Sequence, residues 1–353
     1  QWLGISCKAL TSMASQSLDL LSQIITTMSF DDKKRLSALI GELKSEKKSG
    51  LVSSGRDYAI KRARSLWSPN QALQEILWGL SQLQTVKDYT KTKPEEILST
   101  FKYIYEECLK SGAVLHITAD EDSLKTILPM MEKFAKESKL TKLLPAKQYS
   151  LEDLKPYIIQ SKSIEASKPQ LIQLDSQTGY AACVSSASQF LTQEAAAETI
   201  FTTWFSMHTS WDKIRTTGGA YGANLWNDNI EKSSVMCTYR DPSPEKSLKV
   251  YMDSLEEISQ KKIPQEDIEK TIVVCYGDAI VPTSPKDRGA RAFESLLYGN
   301  PVEFKQLRVN NIFKVTSEDV QKAAQKYYES AVKEKYQSIF CDKSKKISGN
   351  KIK

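Results

Sequence analysis

A chain of 353 residues, 40% hydrophobic and 26% charged, has material for more than one ordinary core, and two soluble globular domains are expected from it. No apolar run approaches the roughly 20 residues that a bilayer-crossing helix requires, which excludes a helical membrane span. The net charge of +6 is spread over 49 basic and 43 acidic residues, and no cluster of cations alternates with aromatics, so nucleic acid is not an expected partner.

The chain opens on Gln1, with no basic segment followed by an apolar one and a cleavage site, and it reads as an internal or processed piece of something longer. Its six cysteines, Cys7, Cys108, Cys183, Cys237, Cys275 and Cys341, contain no C-x-x-C pair. That spacing favours neither a zinc ribbon nor a disulfide framework, and free thiols in a reducing, intracellular compartment are expected.

In chain order, the first third reads as helices. Leu18, Leu21, Ile25 and Met28 recur at helical spacing, and after a turn at Ser29 a second helix runs through Leu36, Leu39, Ile40 and Leu43. These pair as an N-terminal helical hairpin. Gly50 to Gly55 breaks the pattern, and a basic helix follows through Tyr58, Ala59, Ala63 and Leu66. Ser68-Pro69-Asn70-Gln71 supplies a capping hydroxyl, a proline suited to the first helical turn and a reciprocal glutamine, so the next helix starts there. Thr92-Lys93-Pro94-Glu95 opens another in the same manner. Ala113 to Ala119 is β-branched and short, the first expected strand, and a helix from Glu121 to about Lys136 follows it. From Lys139 to about Lys168 the sequence is polar and proline-punctuated, the expected linker.

A second domain is expected from residue 169. Leu171 to Leu174 and Tyr180 to Ser185 read as strands, and a helix with the stripe Ile200, Trp204, Met207 and Trp211 follows. Tyr221 to Trp226 and Ser234 to Tyr239, separated by Asn227-Asp228-Asn229, read as a β-hairpin. Helices are expected at about Pro244 to Ser259, Pro264 to Asp278, Ser284 to Leu297 and Ser317 to Ala331, and a last strand from Tyr336 to Cys341. The fold class is α+β, with domains at 1–168 and 169–353, each an antiparallel-rich sheet backed by helices.

The chemistry of a self-contained enzyme is missing from the motifs. His116 and His208 are the two histidines, and neither stands in an H-E-x-x-H or H-x-x-E-H context, whereas a hydrolytic zinc site typically needs three protein ligands. Both read as structural residues. No G-x-S-x-G elbow, P-loop ending or three-glycine dinucleotide fingerprint occurs.

What is present is Arg215 and Tyr221 flanking Gly218-Gly219 at a helix-to-strand transition. A guanidinium fork and a phenolic hydroxyl can grip the backbone carbonyls of an extended peptide, and glycines let that peptide approach closely. The residues alone leave a second reading open, in which Arg215 caps the preceding helix, Tyr221 fills the core and the glycines merely turn the chain.

The segment RTTGGAYGA, together with CTYRDPSPEKSL downstream of it, resembles the C-terminal half of the pitrilysin and insulinase-type metallopeptidases, in the presequence protease and falcilysin branch. GLVSSGRDYAIKRARSLWSPNQALQEILWGLSQL is similar to a helical region found in this branch, and GDAIVPTSPKDRGARAFESLLYGN resembles its glycine-marked helices, so the likeness runs from about Leu20 to Tyr328. The resemblance implies paired α+β domains and a zinc metalloendopeptidase that encloses short unfolded peptides in a chamber. It places the zinc ligands and the general base in an H-x-x-E-H motif of an N-terminal catalytic half, the partner of this one, with no metal in this chain. It assigns Arg215 and Tyr221 to substrate positioning and transition-state support, with Gly218 and Gly219 in the substrate-binding segment, and implies that this half is inactive alone. The compartment it fits is a bacterial cytoplasm or an organelle matrix. One departure is Ser54-Gly55-Arg56-Asp57-Tyr58, where the branch commonly has histidine in place of Arg56, and this segment reads as structural. A non-catalytic scaffold or assembly subunit of the same fold is the alternative reading.

Overall fold

The computed structural model describes residues 2–145, 147–159 and 168–352. In chain order the first elements are α1 (Ala14–Thr27), α2 (Lys33–Ser53), α3 (Gly55–Arg64), α4 (Pro69–Trp78), α5 (Leu80–Tyr89), α6 (Pro94–Lys110), α7 (Glu121–Glu137) and the single turn α8 (Leu151–Leu154). Then come β1 (Gln170–Leu174), β2 (Tyr180–Ser186), α9 (Gln193–Phe205), a π-helical segment (Ser206–Thr217), β3 (Gly222–Asp228) and β4 (Ser233–Tyr239). The remainder is α10 (Pro244–Gln260), α11 (Gln265–Ala279), α12 (Pro285–Leu297), α13 (Val302–Ile312), α14 (Ser317–Glu334), β5 (Tyr336–Asp342) and β6 (Asn350–Lys351). Among the described residues no helix is long and apolar enough to cross a membrane.

The chain forms two compact units, one of residues 1–43, 87–148 and 282–300, the other of 44–86, 149–281 and 301–353. This grouping differs from the expected division at 168/169, because α3 and α4 pack within the second unit. Part of the expected linker, residues 146 and 160–167, lies outside the described residues.

The first unit is helical. Leu36, Ile97 and Leu98 are buried together, with Phe30, Ile40 and Tyr89 packed against them. The strand expected at Ala113 to Ala119 is not formed: Ala113 makes one isolated bridge to Lys142, and residues 114–119 join no ladder. β-branched composition favours a strand only where a neighbour accepts its hydrogen bonds, and here Val114 and Leu115 are exposed instead. The α+β class rests on the one sheet of the second unit.

That sheet has the order β3-β4-β2-β5-β1-β6. The β3/β4, β4/β2 and β2/β5 pairs are antiparallel, and β5/β1 and β1/β6 are parallel. Central β2 explains its own sequence. Ala181 and Cys183 face a core shared with α9, α10 and α14, while Tyr180, Ala182 and Val184 face Tyr58, Ala59 and Ala63 of α3. A strand covered on both sides reads as a continuous apolar run. Gly55 lets α3 approach, since a Cβ there would lie 2.2 Å from the Tyr180 ring.

The local signals hold unevenly. The Ser68 hydroxyl accepts the Gln71 backbone N–H, as its cap position requires. At Lys93 the proline opens α6 without a side-chain cap. Gly50 does not end α2, which continues to Ser53. The hairpin is present, but β3 continues through Asn227 and Asp228, and the turn falls at 229–232. The helix α13 escaped the sequence reading because its apolar residues form no stripe and Ile312 alone is buried among those described.

Candidate functional site

The stretch from Trp204 to Arg240 builds the site. From Ser206 the helix carries π geometry, whose i→i+5 bonding rotates each following side chain away from its α-helical azimuth. Ile200 is buried and Trp204 half-buried, but Met207 and Trp211 come out exposed, so the expected stripe ends at Trp204; Thr209, Ser210 and Ile214 turn inward instead. The exposed Trp211 becomes a platform for Arg215, whose guanidinium carbon sits 4.0 Å from the indole centroid.

The helix then closes on the glycine pair. Gly219 donates its N–H to the Arg215 carbonyl at 2.9 Å and Ala220 to that of Ile214 at 3.2 Å. Gly219 has φ +80°, which favours glycine, and a Cβ on Gly218 would lie 2.5 Å from the Ile214 carbonyl oxygen. The pair is therefore required to turn the chain from helix to strand. That turn presents Tyr221 to solvent, 65% exposed, so it does not fill the core. Its ring meets the edge of Tyr239 at 5.8 Å and lies 5.9 Å from the Arg215 guanidinium. Among the described residues neither the Tyr221 hydroxyl nor the Arg215 guanidinium has a hydrogen-bond partner, and Arg215 therefore does not cap the helix with its side chain.

Three further residues join this array that the sequence reading did not select. Tyr239 at the end of β4 carries the Arg56 guanidinium 6.0 Å from its centroid and that of Arg240 at 5.4 Å. Arg240 holds φ +46°, an uncommon conformation for a side chain with a Cβ, and its carbonyl accepts the Tyr221 N–H at 3.4 Å. Arg56 stands in the segment expected to be structural, and α3 brings it to the ring. The one available signal was the cation–aromatic dipeptide Tyr239-Arg240 beside the glycine-marked segment.

Next to Arg240, Asp241 is buried where it pairs with Gly179 through both backbone groups. Its Oδ1 accepts the Ser243 N–H at 2.8 Å. Burial holds the carboxyl above the usual aspartate range, offset in part by hydrogen bonding from the Ser243 N–H, Ser247 and Thr238. The native state therefore favours the protonated form. Stability contributed by this group is present below the ordinary aspartate value of about 4 and is lost as pH rises through the raised native one. Asp241→Asn is accordingly expected to gain stability relative to the parent as pH rises from about 4 to about 7 in urea titrations; a pH-independent difference would contradict this.

No group of three or more histidine, cysteine or acidic side chains that could hold a metal ion occurs among the described residues. His116 stacks on Phe293 at 4.6 Å, and His208 stacks on Trp204 at 4.8 Å with its Nδ1 on the Trp204 carbonyl. The thiols of Cys183 and Cys237 are pushed up to about 12 by burial, far from the thiolate a metal requires. Among the described residues, these side chains do not make a zinc-binding set.

The fold is that of the pitrilysin-type peptidases. Pitrilysin superposes with a TM-score of 0.62 over 97% of this chain and 35% of its own, at 14% identity. A protease from Helicobacter pylori gives 0.57 over 93% and 76%, at 13% identity. Residues 1–88 match the peptidase-associated family of M16 subfamily C, and residues 183–344 match the PreP C-terminal domain. The mitochondrial presequence protease of Candida albicans is 25% identical over 337 residues, 92% of this chain and 32% of its own length. That of Xenopus laevis is 24% identical (88% and 32%), and the chloroplastic/mitochondrial presequence protease 1 of Arabidopsis thaliana 23% (90% and 29%). The two family models and these relatives together support a C-terminal part of an M16 peptidase of the presequence-protease type. It spans about a third of the length of these curated relatives.

Proposed function

We propose that this chain is the substrate-holding part of a zinc metalloendopeptidase that degrades short unfolded peptides in an enclosed chamber. The observation that carries the reading is the presentation of Arg215 and Tyr221 on the same aromatic array, Tyr221 exposed and Arg215 half-buried, with their donors unused among the described residues. Five guanidinium N–H groups and one phenolic O–H can meet the carbonyls of an extended peptide without reading its side chains. Gly218 and Gly219 leave the approach to that peptide open. In this reading the zinc and its ligands belong to the N-terminal catalytic part of the same enzyme, the partner of this chain. What this chain contributes is binding, orientation and a hydrogen-bond donor to the charge that develops on the scissile carbonyl oxygen.

Peptides are the substrates in this reading, with neither nucleic acid nor membrane as partner. The mitochondrial and chloroplastic relatives support an organelle matrix, and a bacterial cytoplasm is equally compatible with the free cysteines. The test compares the full-length protein with residues 1–353 alone on an unstructured fluorogenic peptide. Cleavage that is lost on chelation and restored by zinc is expected for the full-length protein, and none for this chain. Peptide cleavage by residues 1–353 alone, or none by the full-length protein, would refute the assignment.

A further inference from the structure

Three guanidinium groups lie along two tyrosines in contact in the second unit. Arg215 stands over Trp211 and near Tyr221, Tyr221 meets Tyr239, and Tyr239 carries both Arg56 and Arg240. A guanidinium lying against a ring uses its face for the ring and keeps its N–H edge for a planar acceptor. Among the described residues the only carboxylate paired with the three is Asp57, 3.3 Å from Arg56 in a pair exposed enough to be weak. Arg240 makes no ion pair among those residues.

Two cations gathered on one tyrosine repel each other, and the chain adds backbone strain at one of them, since Arg240 occupies the left-handed region at φ +46° where Gly, Asn or Asp is usual. Among the described residues the Arg240 guanidinium makes no hydrogen bond or ion pair, and the ring it lies against is that of Tyr239. An anion held by the N–H edges of the two guanidinium groups would offset the repulsion.

We propose that Arg56 and Arg240, arranged around Tyr239, read a peptide carboxylate and so set substrate preference beside the backbone grip of Arg215 and Tyr221; the inference rests on the peptidase reading above. The carboxylate is supplied either by an acidic side chain or by the peptide's C-terminus. Arginine suits both, because its fork matches two carboxylate oxygens at once. Asp57 does not block the site, as a weak exposed pair yields to a ligand held at several points.

The test uses the full-length protein and two matched peptide pairs cleaved in competition, one differing by internal Glu against Gln, the other by free acid against C-terminal amide. The parent is expected to process the carboxylate-bearing member of at least one pair about five- to tenfold better at low ionic strength, with the preference shrinking as salt is added. The pair that shows it identifies the source of the carboxylate. Arg56→Gln and Arg240→Gln are each expected to cut the ratio about two- to fivefold, in line with exposed charge pairs, and Arg240→Lys, which keeps the charge but not the fork, to cut it less. Circular dichroism of each variant confirms that it is folded. Equal cleavage within both pairs, or a ratio that Arg56→Gln and Arg240→Gln leave unmoved, overturns this inference while the peptidase reading stands. Cleavage of none of the four peptides overturns both.

Discussion

In the full-length protein, Tyr221→Phe is expected to lower the turnover of an unstructured peptide by about a hundredfold, the usual cost of removing one donor to a developing oxyanion. The ring stays where it is, because its position depends on the edge of Tyr239 and on the Arg215 guanidinium, and neither contact involves the hydroxyl. The side chain is 65% exposed and its oxygen bonds to none of the described residues, so folding stability is not expected to change. If the hydroxyl acts only as charge develops, kcat falls and KM holds; if it binds ground state and transition state alike, KM rises and kcat holds. Arg215→Lys gives the companion result, with loss in both parameters, since lysine keeps a charge but neither the fork nor the flat contact with Trp211. A Tyr221→Phe enzyme with parental kinetics would remove Tyr221 from the machinery.

The largest stability effect is expected at a buried ion pair far less visible in the sequence. Arg62 and Glu75 are 2% and 0% exposed in their side chains and meet at 3.1 Å. Arg62 also donates to the Gln170 side chain and the Ile159 carbonyl, and Glu75 Oε1 accepts from both the backbone N–H and the hydroxyl of Ser81 at 3.2 and 3.1 Å. Burial acts on both partners, raising the Glu75 carboxyl and lowering the Arg62 guanidinium, while each restores the other's charge. Arg62→Met strands the carboxylate and is expected to cost about 3–5 kcal/mol, a large part of the 5–15 kcal/mol or so that a domain has. Urea unfolding measures it. Arg62→Met/Glu75→Leu is expected to recover most of the loss, since replacing both charges by apolar groups removes the desolvation cost along with the attraction. A single variant within about 1 kcal/mol of the parent would show that water reaches the pair. The same pair explains Gly79, where a Cβ would lie 1.9 Å from Glu75 Oε2.

Much of the second unit is legible in the sequence because its signals are local. The continuous apolar run of β2 and the cap at Ser68 each act over a few positions. Where a signal depends on a distant partner, the reading fails: Ala113 to Ala119 has strand composition but no ladder to join. The π segment is likewise hidden, because its wider bonding moves Met207 and Trp211 outward without any change of residue type at Ser206. Arg215 and Tyr221 stand out by their glycine-marked spacing, and it is the resemblance of RTTGGAYGA that gives them a role. Arg56 does not stand out, since it lies far ahead of Arg215 in the chain and only the packing of α3 on the sheet brings it to Tyr239.

The central claim is that a peptide lies over Arg215 and Tyr221. Photo-crosslinking tests it most directly: an uncleavable unstructured peptide carrying benzoylphenylalanine is irradiated on the full-length protein, and the adducts are located by mass spectrometry. Adducts within residues 211–240, reduced by unlabelled peptide and by Arg215→Ala, are the expected result. Adducts that fall elsewhere and ignore Arg215→Ala would contradict the assignment of this segment as the substrate-holding surface.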